Sequence, residues 1–190
     1  MFTDIYNTSN VYDLIYSDPA WPQKKGNIRA CRPNQTKELD YHTCSLEEIY
    51  QIHKTAFNLL TDKSNVFIWT IDKFLPETEE MMHKLSFTLH ARLVWNKENG
   101  VAPAFTVRFT HEYLLWFYKK GHMLMPAKNT RGKYTTVITE PSTVHSRKPN
   151  VVYEMLDNMF PDAKKLELFA RNTKKNWDCW GNQTNMFGEV

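Results

Sequence analysis

Residues Ser17-Asp18-Pro19-Ala20-Trp21 carry the most specific chemistry in the sequence. A carboxylate just beyond a β-rich segment, a proline that fixes the backbone and an aromatic ring two residues further on can together hold a flat base with an exocyclic amine. Asp18 would accept one N–H of that amine, the Pro19 carbonyl would accept the other, and the Trp21 ring would stack on the base or wall it. Accepting both N–H groups localises the nitrogen lone pair. A weak, conjugated amine then becomes able to attack an electrophilic methyl group in line, with positioning and electrostatics supplying most of the rate. A strand followed by an ordinary proline turn would read the same over these five residues, so the rest of the chain has to decide.

What the chain lacks narrows the choice. Its 6 glycines form no Gly-x-Gly pair and no Gly-x4-Gly-Lys loop, which excludes the glycine cradles of dinucleotide and P-loop sites. Any nucleotide-like cofactor should therefore lack a pyrophosphate. Cys31, Cys44 and Cys179 have no metal-ligand spacing and no even count, so they read as unpaired thiols of a reduced, intracellular chain. The 7 histidines show no paired ligand spacing either, and no metal is expected. The net charge of +3 is too small to argue for a polyanion, but its distribution is uneven. Pro22 to Lys37 holds Lys24, Lys25, Arg29, Arg32 and Lys37 with no acid; Tyr113 to Thr139 holds Lys119, Lys120, Lys128, Arg131 and Lys133 with no acid. These are either solvated loops or two arms gripping phosphates around a site between them.

The elements that must position these residues alternate between strand-like and helix-like, the pattern of an α/β domain with a mostly parallel sheet. Tyr12 to Asp18 is β-rich and stops at Pro19. Ser45 with Glu48 makes a capping box that opens a helix with apolar residues at helical spacing to Leu60. Val66 to Trp69 reads as a strand buried on both faces. Pro76 starts a helix that runs to about Ser86; Arg92 to Trp95 and Tyr113 to Tyr118 read as strands. Pro149 opens a last helix through Met159, and Lys165 to Phe169 is a final core strand. A length of 190 residues suits one domain with a real core, and no repeat or linker divides it. The longest apolar run is about six residues, too short for a membrane span, so no membrane partner is expected. No charged and apolar leader opens the sequence, so a cytoplasmic location is expected. In an open parallel sheet, ligands bind beyond the carboxyl ends of the strands, where Asp18 would stand.

Eight segments in order give the chain a family likeness. They are Ser17-Asp-Pro-Ala-Trp21, Leu39-Asp-Tyr-His-Thr-Cys-Ser45, Phe67-Ile-Trp69, Val94-Trp-Asn-Lys97, Thr110-His-Glu-Tyr113, His145-Ser-Arg-Lys-Pro149, Leu166-Glu-Leu-Phe-Ala-Arg171 and Trp177-Asp-Cys-Trp-Gly-Asn-Gln183. Across about Asp4 to Gln183 the chain resembles the N6-adenine methyltransferases related to the catalytic subunit of the messenger-RNA N6-methyladenosine writer. It is most similar there to small phage and prophage DNA adenine methyltransferases. The resemblance implies a class I, Rossmann-like methyltransferase fold with helices on both faces of the sheet. Its motif order is circularly permuted, with the amine-binding motif first. The implied methyl donor is S-adenosylmethionine, a sulfonium nucleoside without phosphate, which agrees with the missing glycine cradle.

Carried over by position, the resemblance implies Asp18, Pro19 and Trp21 as catalytic residues. It places Asp4 and Ile5 beside the cofactor's adenine, Asp18 on its amino-acid end, Lys148 near its carboxylate, and Arg171, Asn182 and Gln183 on its ribose. Tyr41, Lys24, Lys25, Lys97, Arg108, Lys128 and Arg131 are the expected substrate-binding residues. The chain departs from the family pattern at Ala20, where a second proline is usual, and at Thr173 and Lys174, where a histidine and an asparagine are usual. The implied partner is DNA, presenting a single-stranded or flipped adenine, read with short or relaxed sequence specificity. Protection of phage or mobile-element DNA from restriction is the implied role. An RNA adenosine methyltransferase and a non-catalytic nucleic-acid-binding subunit of the same fold are the alternatives.

Overall fold

The structure, a computed structural model, describes residues 1–22, 43–98, 107–142, 147–182 and 184. Among these residues seven strands form one sheet: β1 (Tyr12–Ser17), β2 (Leu60–Thr70), β3 (Thr88–Asn96), β4 (His111–Tyr118), β5 (Val137–Thr139), β6 (Lys165–Leu168) and β7 (Trp177–Trp180). The spatial order is β5-β3-β4-β2-β1-β6-β7. Pairings of β1 with β2 and β6, of β6 with β7 and of β3 with β5 are parallel. β4 pairs antiparallel with both β2 and β3, so it alone runs against the others. The helices are α1 (Leu46–Ala56), α2 (Leu75–Lys84) and α3 (Asn150–Met159).

Alternation along the central strands divides the core between two faces. Ile15, Val66, Ile68, Leu115 and Phe117 pack with Ile49 and Ala56 of α1 and Met81 and Met82 of α2. Leu14, Tyr16, Phe67, Trp69, Leu114 and Trp116 pack on the opposite face with Val152, Tyr153, Met155 and Leu156 of α3. Helices therefore cover both faces, which is why β1 and β2 read as continuous apolar runs rather than alternating ones.

Local signals set most boundaries. The Ser45 hydroxyl accepts the Glu48 N–H at 3.2 Å while the Glu48 carboxylate accepts the Ser45 N–H at 2.7 Å, closing the capping box of α1. α2 ends at Lys84 rather than near Ser86, because Ser86 turns left-handed (φ 67°). The Phe87 N–H then returns to the Met82 carbonyl at 2.9 Å, a Schellman stop sealed by the buried Phe87 ring. β2 is much longer than its apolar stretch. Its polar first half is held by the Thr61 hydroxyl donating to Asp13 (2.7 Å) and the Ser64 N–H donating to the His122 carbonyl (3.0 Å). β5 and β7, short strands at the two edges of the sheet, carry no strand signature strong enough to read in advance.

Ser45→Ala is expected to lower stability by about 1 kcal/mol through loss of the cap. Leu156→Ala, at a fully buried position of α3, is expected to cost about 2–5 kcal/mol. Urea unfolding of both variants checks the ranking.

Candidate active site

Because β4 is reversed, it begins at the edge where the other strands end, and four charged side chains meet there. Asp18 stands immediately beyond β1. Glu112 is near the start of β4, Lys97 follows β3, and Lys148 lies just before α3. The Lys148 ammonium is 2.8 Å from Asp18 Oδ1 and 3.0 Å from Glu112 Oε2; Lys97 pairs with the other Glu112 oxygen. Lys148 is fixed from the sheet edge. The Glu140 carboxylate, just past β5, accepts the N–H groups of Asn150 and Val151 at 3.1 Å each and so caps α3. The Glu140 carbonyl in turn accepts the Trp95 indole N–H at 2.7 Å.

Aromatic side chains floor this cluster. Lys148 Nζ is 5.4 Å from the Trp69 ring centre, and Lys97 Nζ is 5.4 Å from that of Trp95. The Trp69 indole N–H donates to the Tyr16 hydroxyl (2.6 Å), and the Trp69 carbonyl accepts the buried Trp21 indole N–H (3.2 Å). Trp21 also stacks on Phe74 at 5.2 Å with the planes 14° apart. One face of the Trp21 ring is therefore occupied, and the residue is built into the wall of the site.

The electrostatics separate the carboxylates. Burial works to raise Glu112, but the ammonium groups of Lys148 and Lys97 outweigh it and hold its carboxyl down at about 2. Burial raises Asp18, against the pull of Lys148 and Arg171 and with a push from Glu112. Lys148 loses solvation too, yet the two carboxylates raise it above its ordinary value. Glu167 of β6 sits on the α3 face of the sheet, accepting the Tyr153 hydroxyl at 2.8 Å. Burial, opposed by that hydrogen bond and by Lys174 and reinforced by the Asp18 charge, pushes its carboxyl up to about 8.

Next to Asp18 the tips of β6 and β7 are drawn together. Phe169 leaves β6 with φ 58°, and the Ala170 N–H donates to the Trp180 carbonyl at 2.9 Å. A Cβ on Gly181 would lie 2.5 Å from the Ala170 carbonyl oxygen and 2.6 Å from its nitrogen, so only glycine fits. That close approach brings Arg171 and Asn182 onto adjoining turns. On the outer side the first residues join β7: Phe2 bridges Cys179, and the Thr3 N–H donates to the Cys179 carbonyl at 2.9 Å. The chain thus carries Asp4 and Ile5 past the β7 tip. Ile5 is buried, and Asp4 closes its own turn by accepting the Tyr6 N–H at 3.1 Å.

The family model described as MT-A70 matches residues 12–183. The chain belongs to the MT-A70 family. It is 41% identical over 197 aligned residues to the human N(6)-adenine-specific methyltransferase METTL4, covering 98% of this chain and 40% of that protein. It is 28% identical over 186 residues to the type II methyltransferase M.MunI of Mycoplasma sp, covering 90% and 76%. The human N(6)-adenosine-methyltransferase catalytic subunit METTL3 is 26% identical over 179 residues, covering 90% and 28%. The chain thus spans well under half of the two human relatives. MT-A70 proteins are N6-adenine methyltransferases that use S-adenosylmethionine, and the mostly parallel sheet with one reversed strand is the Rossmann-like fold of that enzyme class.

Of the residues the MT-A70 resemblance singles out, the structure gathers Asp4, Ile5, Asp18, Pro19, Trp21, Lys97, Lys148, Arg171 and Asn182 along one edge of the sheet. Arg108, exposed just ahead of β4, lies at that edge as well. Lys24, Lys25, Tyr41 and Gln183 lie outside the described residues. Lys128 and Arg131 do not join the site. The reversed β4 delivers its chain to the far end of the sheet, where the Asn65 amide donates to the Leu124 carbonyl and the Ala127 N–H donates to the carbonyl of Met159, at the end of α3. Proximity in sequence to β4 misplaces them, because strand direction decides which end a loop leaves from. Glu112, Glu140 and Glu167 are the side chains the sequence reading passed over; Glu112 lay inside the Thr110-His-Glu-Tyr113 segment without being chosen.

Glu167 gives the site a pH signature. Its folded value is raised from the usual 4.5, so its contribution to stability is complete below about pH 4.5 and is lost as pH rises through about 8. Glu167→Gln, permanently neutral, is expected to flatten the fall in stability between these limits, measured as urea midpoints at about pH 5 and about pH 8.

Proposed function

We propose that this chain transfers a methyl group to the N6 amine of adenine in DNA, with the target base single-stranded or flipped out of the duplex. The observation that carries this reading is the desolvated Asp18 carboxylate at the β1 tip, adjoining the Pro19 carbonyl. Asp18 accepts one N–H of the adenine amine. The Pro19 carbonyl already accepts the Trp21 backbone N–H at 2.8 Å, and its second lone pair takes the other amine hydrogen. The two bonds draw the nitrogen lone pair out of conjugation and aim it. As the new N–C bond forms and the donor's sulfur–methyl bond breaks, the Asp18 carboxylate would balance the positive charge developing on N6, which then loses its proton to solvent. Trp21, pinned between Phe74 and the Trp69 carbonyl, walls the base without having to move. At Ala20, where the resemblance implies a second proline, the carbonyl accepts the Cys44 N–H at 2.8 Å, tying the loop down by a backbone bond.

The residues present fit S-adenosylmethionine. Asp18 suits its ammonium, Lys148 its carboxylate, Arg171 and Asn182 its ribose hydroxyls, and Asp4 and Ile5 flank its base; when bound, it supplies an electrophilic methyl on a sulfonium. Arg171 and Asn182 are neighbours only because position 181 is glycine, a backbone cradle that any side chain would fill. Arg108, exposed on the same edge, is assigned to substrate phosphates, and Lys97, whose ammonium pairs with Glu112, is assigned to the substrate by resemblance alone. Lys24, Lys25 and Tyr41 are assigned to the substrate by resemblance.

DNA is favoured by likeness to compact phage enzymes and by the 41% relative, whose name specifies adenine. RNA is favoured by the relatives named for adenosine, at 26–28% identity. On the likeness to compact phage enzymes we assign short or relaxed sequence specificity and a role in protecting phage or mobile-element DNA from restriction. Matched DNA and RNA oligonucleotides, incubated with protein and methyl donor and digested for nucleoside mass spectrometry, should show N6-methyladenine in the DNA arm. Product in RNA alone would reverse the assignment. Asp18→Ala is expected to lower kcat by at least about 100-fold with the fold retained by circular dichroism; near-normal turnover would refute the mechanism.

A further inference from the structure

A fully buried polar pair lies directly behind Asp18. His53 of α1 and Ser17 of β1 are both fully buried, with His53 Nε2 2.9 Å from the Ser17 hydroxyl and His53 Nδ1 2.7 Å from the Ile49 carbonyl. A carbonyl only accepts, so Nδ1 carries the ring proton and the Nε2 lone pair accepts from Ser17 O–H. Burial keeps this imidazole neutral, lowering it to about 4. The pairing has the look of a nucleophile and its base, yet neither atom can meet a substrate.

What the pair can do is hold a strand end. The ladder of β1 finishes at Ser17, which is registered with Ile68 of β2 and Leu168 of β6. The next backbone bond, from the Asp18 N–H to the Leu168 carbonyl, is stretched to 3.4 Å. The Ser17 hydroxyl is therefore the last short fixture before the catalytic carboxylate. The same imidazole packs against Phe169, with ring centres 5.8 Å apart, where the chain turns left-handed out of β6 toward Arg171. Phe169 in turn meets Trp180 edge-on at 5.8 Å. One side chain of α1 thus braces the two strand tips that bear Asp18 and Arg171. An apolar residue at 53 could fill the volume, but it would strand the Ser17 hydroxyl without an acceptor.

We propose that His53 is a positioning residue for Asp18, acting through the Ser17 hydroxyl; this rests on the catalytic reading of Asp18 given above. The test compares Ser17→Ala, Ser17→Thr, His53→Phe and the Ser17→Ala/His53→Phe double variant. The readouts are kcat, the Kd for S-adenosylmethionine and the melting temperature, with kcat taken per folded molecule well below melting. Misplacement of a reacting group by about 1 Å costs up to about 100-fold, so Ser17→Ala should lose about tenfold or more in kcat, a larger factor than the accompanying loss in cofactor Kd, to which Asp18 supplies one contact among several. The double variant should be no slower than the slower single, because both remove one interaction. Ser17→Thr, which keeps the hydroxyl, should restore most of the rate. Normal kcat in folded Ser17→Ala, or losses that multiply in the double variant, would overturn the inference while leaving the function intact. If the unaltered protein transfers no methyl group, the functional reading fails and a crystal structure of Ser17→Ala decides the inference. An Asp18 carboxylate moved off Lys148 supports it, and one left in place overturns it.

Discussion

One ammonium group, that of Lys148, holds the business edge of this protein together. It is taken out of water between two carboxylates, Asp18 and Glu112, that arrive from strands of opposite direction. Stripping such a buried cluster of one member leaves an uncompensated charge, at a cost of about 3–5 kcal/mol, so each of these side chains constrains the others. The arrangement depends on strand direction. Were β4 parallel to its neighbours, Glu112 would lie at the opposite end of the sheet and Lys148 would face Asp18 alone. The reversed strand also folds Lys97 of the β3–β4 connection back onto Glu112, completing an alternating row of two cations and two anions.

The same residue type shows how the surroundings decide chemistry. Glu112 and Glu167 are both desolvated carboxylates toward the same end of the sheet, yet one is held at about 2 and the other pushed up to about 8. Burial opposes ionisation in both. Glu112 has two ammonium groups against it, whereas Glu167 has a tyrosine hydroxyl, a more distant Lys174 and the repulsive charge of Asp18. The charge of Asp18 on the neighbouring strand tip is thus one of the reasons Glu167 holds its proton.

Much of this was legible in the sequence, for identifiable reasons. The β1 strand, the capping box of α1 and the helix after Pro149 all rest on local chemistry, and local chemistry survives folding. The motif at Ser17 to Trp21 placed Asp18 correctly because a proline after an apolar run can only end a strand. What could not be read was direction and depth. Nothing in Tyr113 to Tyr118 says that it runs against its neighbours, so Lys128 and Arg131 were set beside a site that lies at the other end of the sheet. Likewise the spacing of His53 within α1 says nothing of the Ser17 hydroxyl it meets, and the role of Gly181 rests on a backbone passing 2.5 Å from where its Cβ would be. These are contacts between segments far apart in the chain, and no window of sequence contains both partners.

The row of charges also bears on how an amino-acid-tailed cofactor can be admitted on the proposed function. An empty site lined by a lone lysine and a lone aspartate would have to leave both desolvated charges unsatisfied until binding. Here the two satisfy each other, so the site is stable by itself, and the pair is matched to a zwitterion. Lys148 can exchange the Asp18 carboxylate for another carboxylate, and Asp18 can exchange an ammonium for another cation, with no net change in buried charge. Glu112 makes that exchange possible. Held ionised by two ammonium groups, it keeps Lys148 charged and anchored while Asp18 turns to new partners, and Lys97 keeps Glu112 in its turn from following. A cluster of three charges would have to break in order to bind, whereas a cluster of four can re-pair.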